Sequence, residues 1–238
     1  MEINEATNPY PTYAAVLGQL PAFEPDLDRT ALLVIDIQYM CAHPEYGTGP
    51  SMTELLPDRG EYYFNRLAEK VLPNTAKLLA ACRERDIPII HSRNAAPVPG
   101  SREVPWRRRF IAPEVVAGSK EAEFLDEVAP LPTEIVLNKT TASVFNSTVV
   151  EFYLRNMGVD TLIVAGVVTN MCVESSVRDG GDRGFQILLV EDACAAMSQA
   201  EHDNAVAFLH RRFANAVDAQ QALDWISVPA AAASQSEA

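Results

Sequence analysis

The sequence predicts an α/β fold: one domain built as a three-layer, doubly wound sheet of about six mostly parallel strands flanked by helices. Three observations lead there. Short runs rich in Ile, Val and Leu recur along the 238-residue chain, and such unbroken apolar runs are typical of strands buried on both faces. Stretches of helical period separate most of them, which is the alternation of a parallel sheet with crossover helices. Hydrophobic residues make up 48% of the chain, enough for one large core.

In chain order, residues 1–28 are proline-rich and lack periodicity, and read as an N-terminal arm. The domain spans 29–227, and 228–238, ending PAAAASQSEA, reads as a flexible tail. The expected strands are ALLVIDI (31–37), IPIIHS (87–92), EIVLNK (134–139), TLIVAGV (161–167) and FQILLVED (185–192), and a short ANAV segment follows near the end. Helices are expected at PNTAKLLAACRERD, starting around Pro73 and Asn74, at STVVEFYLRNMG with a Ser147 start, at NMCVESSVRDGGDRG, at SQAEHDNAVAFLHRRF and at DAQQALDWI. Two long insertions, 39–64 and 94–119, break the rhythm, and loops of that length in a compact domain are usually functional.

Composition excludes several classes. With 19 basic and 32 acidic residues the formal charge is −13, which repels phosphate backbones and anionic lipids. Neither nucleic acid nor membrane is an expected partner. The start, MEINEATNPYP, has no basic segment followed by an apolar stretch, so a cytoplasmic protein is expected. The four cysteines, Cys41, Cys82, Cys172 and Cys194, show neither a CxxC nor a zinc spacing. A buried hydrophobe is the default for each.

Ligands of open parallel sheets bind beyond the carboxyl ends of the strands. Asp36 ends the first run, Lys139 ends the third, and Cys172 follows the fourth. A thiol in the first turn of a helix faces unpaired N–H groups and the positive end of the dipole, which favour thiolate. These three are therefore the first candidates for a nucleophilic site. A nucleotide-binding reading fails, because no glycine-rich turn follows the first strand.

The motifs LLVIDIQ, VLNKTTASVFNST and AGVVTNMCVESSVRDGGDRGF, followed by LLVEDACAA, make the chain resemble the isochorismatase-like cysteine hydrolases over about residues 28–226. The stretch TNMCVESSVRD is similar to that of ureidoacrylate amidohydrolases, with biuret and carbamoyl-amine hydrolases as close competitors. The resemblance implies an Asp36, Lys139, Cys172 triad that hydrolyses an amide or ureide through a thioester. It also implies an oxyanion hole from the N–H groups of Val168 and Cys172, with a cis peptide between Val167 and Val168. The nicotinamide branch carries a histidine-containing metal site, whereas this chain reads HSRNAAPVPG after the second strand. His91 is thus expected at a strand end rather than on a metal, His43, His202 and His210 show no ligand spacing, and no metal or other cofactor is expected.

Gln38, Tyr39, Trp106, Phe145 and Asn170 are the candidate substrate contacts. Arg107, Arg108 and Arg109 read as a lid or subunit-contact patch rather than a phosphate site, with one arginine open to pairing a substrate carboxylate. The expected partner is a small amide or ureide, and the resemblance implies a homo-oligomer, dimer or tetramer. The competing readings are a catalytically idle member serving as a binding or assembly module, and another branch of the family, nicotinamidase-like or isochorismatase-like.

Overall fold

The computed structural model describes residue 16 and residues 18–227. The expected tail 228–238 and most of the expected arm 1–28 lie outside the described residues. The sheet has six strands: β1 (Thr30–Ile35), β2 (Ile89–Asn94), β3 (Ile135–Lys139), β4 (Thr161–Val167), β5 (Gln186–Ala195) and β6 (Asn215–Val217), in the spatial order β3-β2-β1-β4-β5-β6. Every pairing within it is parallel. The order reverses between β1 and β4, and a crevice opens at such a switch point.

Side chains of a strand alternate faces, and β1 divides accordingly. Leu32 and Val34 enter one buried cluster, while Ala31, Leu33 and Ile35 enter the other. The main helices are α1 (Pro57–Arg66), α2 (Leu72–Glu84), α3 (Val150–Asn156), α4 (Glu174–Asp182), α5 (Gln199–Leu209) and α6 (Ala219–Ser227). Helices α1, α2 and α6 cover the first face with Tyr63, Leu78 and Ile226, and α3, α4 and α5 cover the second with Leu154, Val177 and Leu209. Both faces of a parallel sheet are thereby shielded.

Several boundaries differ from the expected ones for local reasons. The helix expected around Pro73 is α2, which begins at Leu72 with the proline in its first turn, but it has no free start. Instead α1 runs through a π turn, Leu67–Val71, directly into α2, with αR backbone at the junction residues Leu67, Val71 and Leu72. Proline lacks an N–H and its ring clashes with the carbonyl four residues back, here Glu69. The wider π turn at that point is where such a clash can be absorbed. The insertion 39–64 is largely helical, and its Tyr63 is fully buried in the core. Ser147 does not cap α3, because its Oγ instead accepts from the N–H groups of Thr140 and Thr141 at 3.1 and 3.3 Å.

Gly166 fixes how closely β1 and β4 approach. Its φ is +131°, and a Cβ there would fall 2.1 Å from the Ile35 carbonyl oxygen. Only glycine tolerates both conditions. We expect Gly166→Ala to lower the unfolding free energy by roughly 3–5 kcal/mol, the cost of clash and backbone strain together. Denaturant unfolding checks it, and a loss below about 1 kcal/mol would show that the strands can separate without penalty.

Candidate active site

Four strand ends converge at the switch point. After Ile35 the chain turns sharply, because Asp36 has φ +56°, in the left-handed region that aspartate tolerates better than most residues. This ends β1 two residues before the expected Ile37 and aims the carboxylate across the ends of β2 and β4. The Asp36 N–H donates to the Ser92 carbonyl at 2.9 Å, and the Asp36 carbonyl accepts from the Gln38 N–H at 2.9 Å and from the Cys41 thiol at 2.9 Å.

Lys139, the last residue of β3, is 0% exposed. An ammonium in that position needs an acceptor for each proton, and it has three. Nζ lies 2.7 Å from Asp36 Oδ2, 3.0 Å from the Thr141 carbonyl oxygen and 3.3 Å from Cys172 Sγ. Burial pulls the ammonium down, but Asp36 and Cys172 together hold it above the usual lysine range. Lys139 therefore stays charged. The Thr141 carbonyl is aimed by the turn that follows β3, where Thr141 Oγ1 bonds to the Ser143 carbonyl and to Ser147 Oγ at 2.7 and 2.8 Å.

Cys172 does not sit in the first turn of an α-helix. It lies in a second π turn, Thr169–Val173, between β4 and α4. The peptide Val167–Val168 preceding that turn is cis. At 8% exposed, the Cys172 thiol is pushed up to about 11, first by burial and then by the Asp36 charge, with Lys139 opposing. Desolvation and the neighbouring carboxylate thus outweigh any stabilisation of a resting thiolate by the turn's N–H groups. The raised thiol is protonated at neutral pH, and the carboxylate of Asp36 shares the Lys139 ammonium with it, at 2.7 Å from Nζ against 3.3 Å for the sulfur. Thr169 Oγ1 anchors the turn to His202 Nδ1 at 2.9 Å, and His202 Nε2 lies 3.1 Å from Glu191 and 2.9 Å from Arg66.

Asn94 completes the cluster and was not among the sequence candidates. Its Nδ2 donates to Asp36 Oδ2 at 2.6 Å and stands 4.0 Å from Cys172 Sγ. The signal was its position at a strand end, which was lost by closing the second strand at residue 92 rather than 94.

The proposed substrate contacts fare differently. Gln38 is fully buried and structural: Nε2 donates to the carbonyls of Asn94 and Glu121, and Oε1 accepts from the Asn94 N–H at 2.6 Å. Phe145 packs in the core against Phe185 and Gly180, because its short 3-10 turn points it behind α4. Trp106 is 75% exposed and leans on Phe110. Tyr39 stacks on His43 and meets Tyr46 edge-to-face, under the Lys120 ammonium. Asn170 is exposed on the π turn. None of these five lines the two cavities beside the cluster. The larger, of about 340 Å³, has Asn94 and Lys139 at its base and the 94–119 insertion as its wall. The smaller, of about 250 Å³, shares Arg108 and Thr140 with it.

Among the described residues no group of three or more His, Cys, Asp or Glu side chains is arranged to hold a metal ion. His91, expected at a strand end, instead lies fully buried inside β2, because the strand continues to Asn94, and its Nε2 stands 3.0 Å from Glu134.

With this geometry in place, comparison with known proteins is decisive at the level of the family. Residues 30–221 match the isochorismatase domain. The chain belongs to the isochorismatase family of hydrolases. Within the family it is 29% identical over 217 residues to ureidoacrylate amidohydrolase RutB of Methylobacterium radiotolerans, covering 79% of this chain and 76% of that protein. Nicotinamidase 3 of Arabidopsis thaliana is 27% identical over 66% of this chain and 79% of its own length. Among isochorismatase-like structures, a cysteine hydrolase from Pseudomonas syringae pv. phaseolicola superposes with a TM-score of 0.75 at 25% identity, covering 87% of this chain and 96% of that one.

The charge coupling within the cluster can be titrated. Reaction of Cys172 with a neutral alkylating reagent should accelerate as pH rises toward about 11. In Asp36→Asn the titration should move to lower pH, since the carboxylate raises the thiol and Lys139 remains to lower it. An unmoved titration would separate the two groups electrostatically.

Proposed function

We propose that the protein is a cysteine amidohydrolase that cleaves the C–N bond of a small linear amide or ureide through a thioester. The observation that carries this reading is the Lys139 ammonium within hydrogen-bonding reach of both the Asp36 carboxylate at 2.7 Å and the Cys172 sulfur at 3.3 Å. A base, a nucleophile and a fixed cation are then in one buried cluster.

The chemistry uses each group once per half-reaction. Asp36 takes the thiol proton as Cys172 attacks the carbonyl carbon, and Lys139 compensates the negative charge that passes from carboxylate to sulfur. The N–H groups of Val168 and Cys172 receive the oxyanion. The tetrahedral intermediate collapses by breaking the C–N bond, and Asp36 returns its proton to the departing nitrogen. A water that Asp36 deprotonates then adds to the thioester, the C–S bond breaks, and the proton returns to sulfur. The products are a carboxylic acid and ammonia, or a carbamate where a ureide is cut. Asn94 donates to Asp36 Oδ2 at 2.6 Å, so the carboxylate turns little between the two roles.

Support for the substrate class comes from relatives named for amide and ureide hydrolysis, including ureidoacrylate amidohydrolase RutB and the N-carbamoylsarcosine amidase of Arthrobacter sp. The latter is 29% identical over 51% of this chain.

Ammonia release from ureidoacrylate analogues, biuret, carbamoyl amino acids, maleamate and nicotinamide tests the reading. Turnover of one class is expected, unaffected by a chelator and reduced by roughly 10³-fold or more in Cys172→Ala, as for loss of a covalent nucleophile. Activity that survives in Cys172→Ala would exclude the thioester route.

A further inference from the structure

The cluster just described is internally balanced, with one carboxylate facing one ammonium, yet the cavity above it is not. Three arginines, Arg102, Arg108 and Arg109, line the larger cavity, against the single carboxylate of Glu114 among the lining residues. Glu114 already accepts from the Gly100 N–H at 2.8 Å. Arg109 is committed to its own loop, donating to the carbonyls of Val104 and Arg102 at 3.1 and 2.5 Å. Arg102 is exposed. Arg108 differs from both: it is half-buried, it lines both cavities, and among the described residues its guanidinium has neither an ion pair nor a hydrogen bond.

A partly desolvated guanidinium with no counter-charge is costly to keep in a protein that could have paired it. The surrounding chain had the means, since 32 acidic residues stand against 19 basic ones. Burial pulls Arg108 below the usual arginine range, while Cys172, Asp36 and Cys41 pull it back up, which places its charge within electrostatic reach of the reacting groups. The net charge of −13 repels small anions from the surface at large, so an anionic substrate would need a local cation to hold it. The larger cavity, about 340 Å³, is at the lower end of the size range of small-molecule sites.

Resting on the amidohydrolase reading, we propose that Arg108 anchors a substrate carboxylate, so that the substrate is a small amide or ureide bearing a carboxylate at its far end. The guanidinium fork pairs with the carboxylate bidentately, and the amide carbonyl then extends over Lys139 and Asn94 toward Cys172. Thr140, shared by both cavities, contributes a hydroxyl beside the anion. Neutral amides of the same length lack the anchor and leave Arg108 unpaired, a difference in transition-state binding that polar sites turn into selectivity.

The test compares wild type, Arg108→Gln and Arg108→Lys in two assays. The first is kcat/KM for a carbamoyl amino acid or maleamate against its methyl ester. Wild type should favour the carboxylate, and Arg108→Gln should reduce that preference by about 10- to 100-fold, mainly through KM. Arg108→Lys should retain part of it, because the charge remains and the fork does not. The second assay needs no turnover: the rate of Cys172 modification by iodoacetate relative to iodoacetamide, which should fall in Arg108→Gln by a similar factor. Equal preference in wild type, or ratios that Arg108→Gln leaves unchanged, would overturn the assignment and leave the hydrolase standing. An Arg108-dependent contrast between the two reagents with no amide turned over would keep the anion subsite and remove the amidohydrolase reading. Inertness in both assays would remove both.

Discussion

The structure is organised around a buried ammonium. Taking a lysine out of water costs several kcal/mol unless its protons are all accepted, and Lys139 meets that condition through contributions from three segments distant in sequence. Asp36 is presented by the end of β1, Thr141 by the turn after β3, and Cys172 by the π turn after β4. Removing any one leaves a buried donor unsatisfied. The same three contacts that make the lysine tolerable set the distances among the groups of the proposed reaction, so stability and the proposed chemistry are constrained by one arrangement.

That arrangement depends on the sheet order. With β1 central and β4 on its other side, the carboxylate and the thiol come from adjacent strands, while Lys139 reaches in from β3, past Asn94 at the end of β2. Gly166 allows β1 and β4 to approach at the level of Ile35, one residue before Asp36. The π turn that carries Cys172 is held from behind by Thr169 and His202. Glu191 carries its carboxylate against His202 and Arg66 there, and Arg66 also donates to the Cys194 carbonyl at 2.8 Å. A largely buried polar network therefore supports the turn.

Much of this was legible in the sequence, and the exceptions share a cause. The strands were readable because unbroken Ile, Val and Leu runs report burial on both faces, and Asp36, Lys139 and Cys172 stood out as polar residues ending or following such runs. Asn94 was missed because Ser92, Arg93 and Asn94 continue β2 with polar side chains, and hydropathy cannot see a strand that extends past its apolar part. Pro73 read as a helix start because sequence rules place proline at N1, and the π turn that lets it sit inside a helix leaves no compositional mark. The thiol's elevated titration was invisible for a different reason. A helix terminus is a local feature that the sequence encodes, whereas burial against Asp36 arises only when β1 and β4 are brought together. Phe145 and Gln38 likewise looked like site residues through proximity along the chain, but folding turned one into the core and used the other to brace Asn94.

The wall of the larger cavity has a different standing from its base. The 94–119 insertion is joined to itself by the Ala96–Val116 bridge, and its central residues, from Gly100 to Ile111, are largely outside the two cores that cover the sheet. Loop closure costs rise only slowly with length, so this segment can change in length and composition with little effect on the strands beneath. Asp36, Asn94, Lys139 and Cys172 have no such freedom. Under the amidohydrolase proposal the molecule divides into a fixed reaction centre and a variable selector, and a change of diet would need to pass only through the selector.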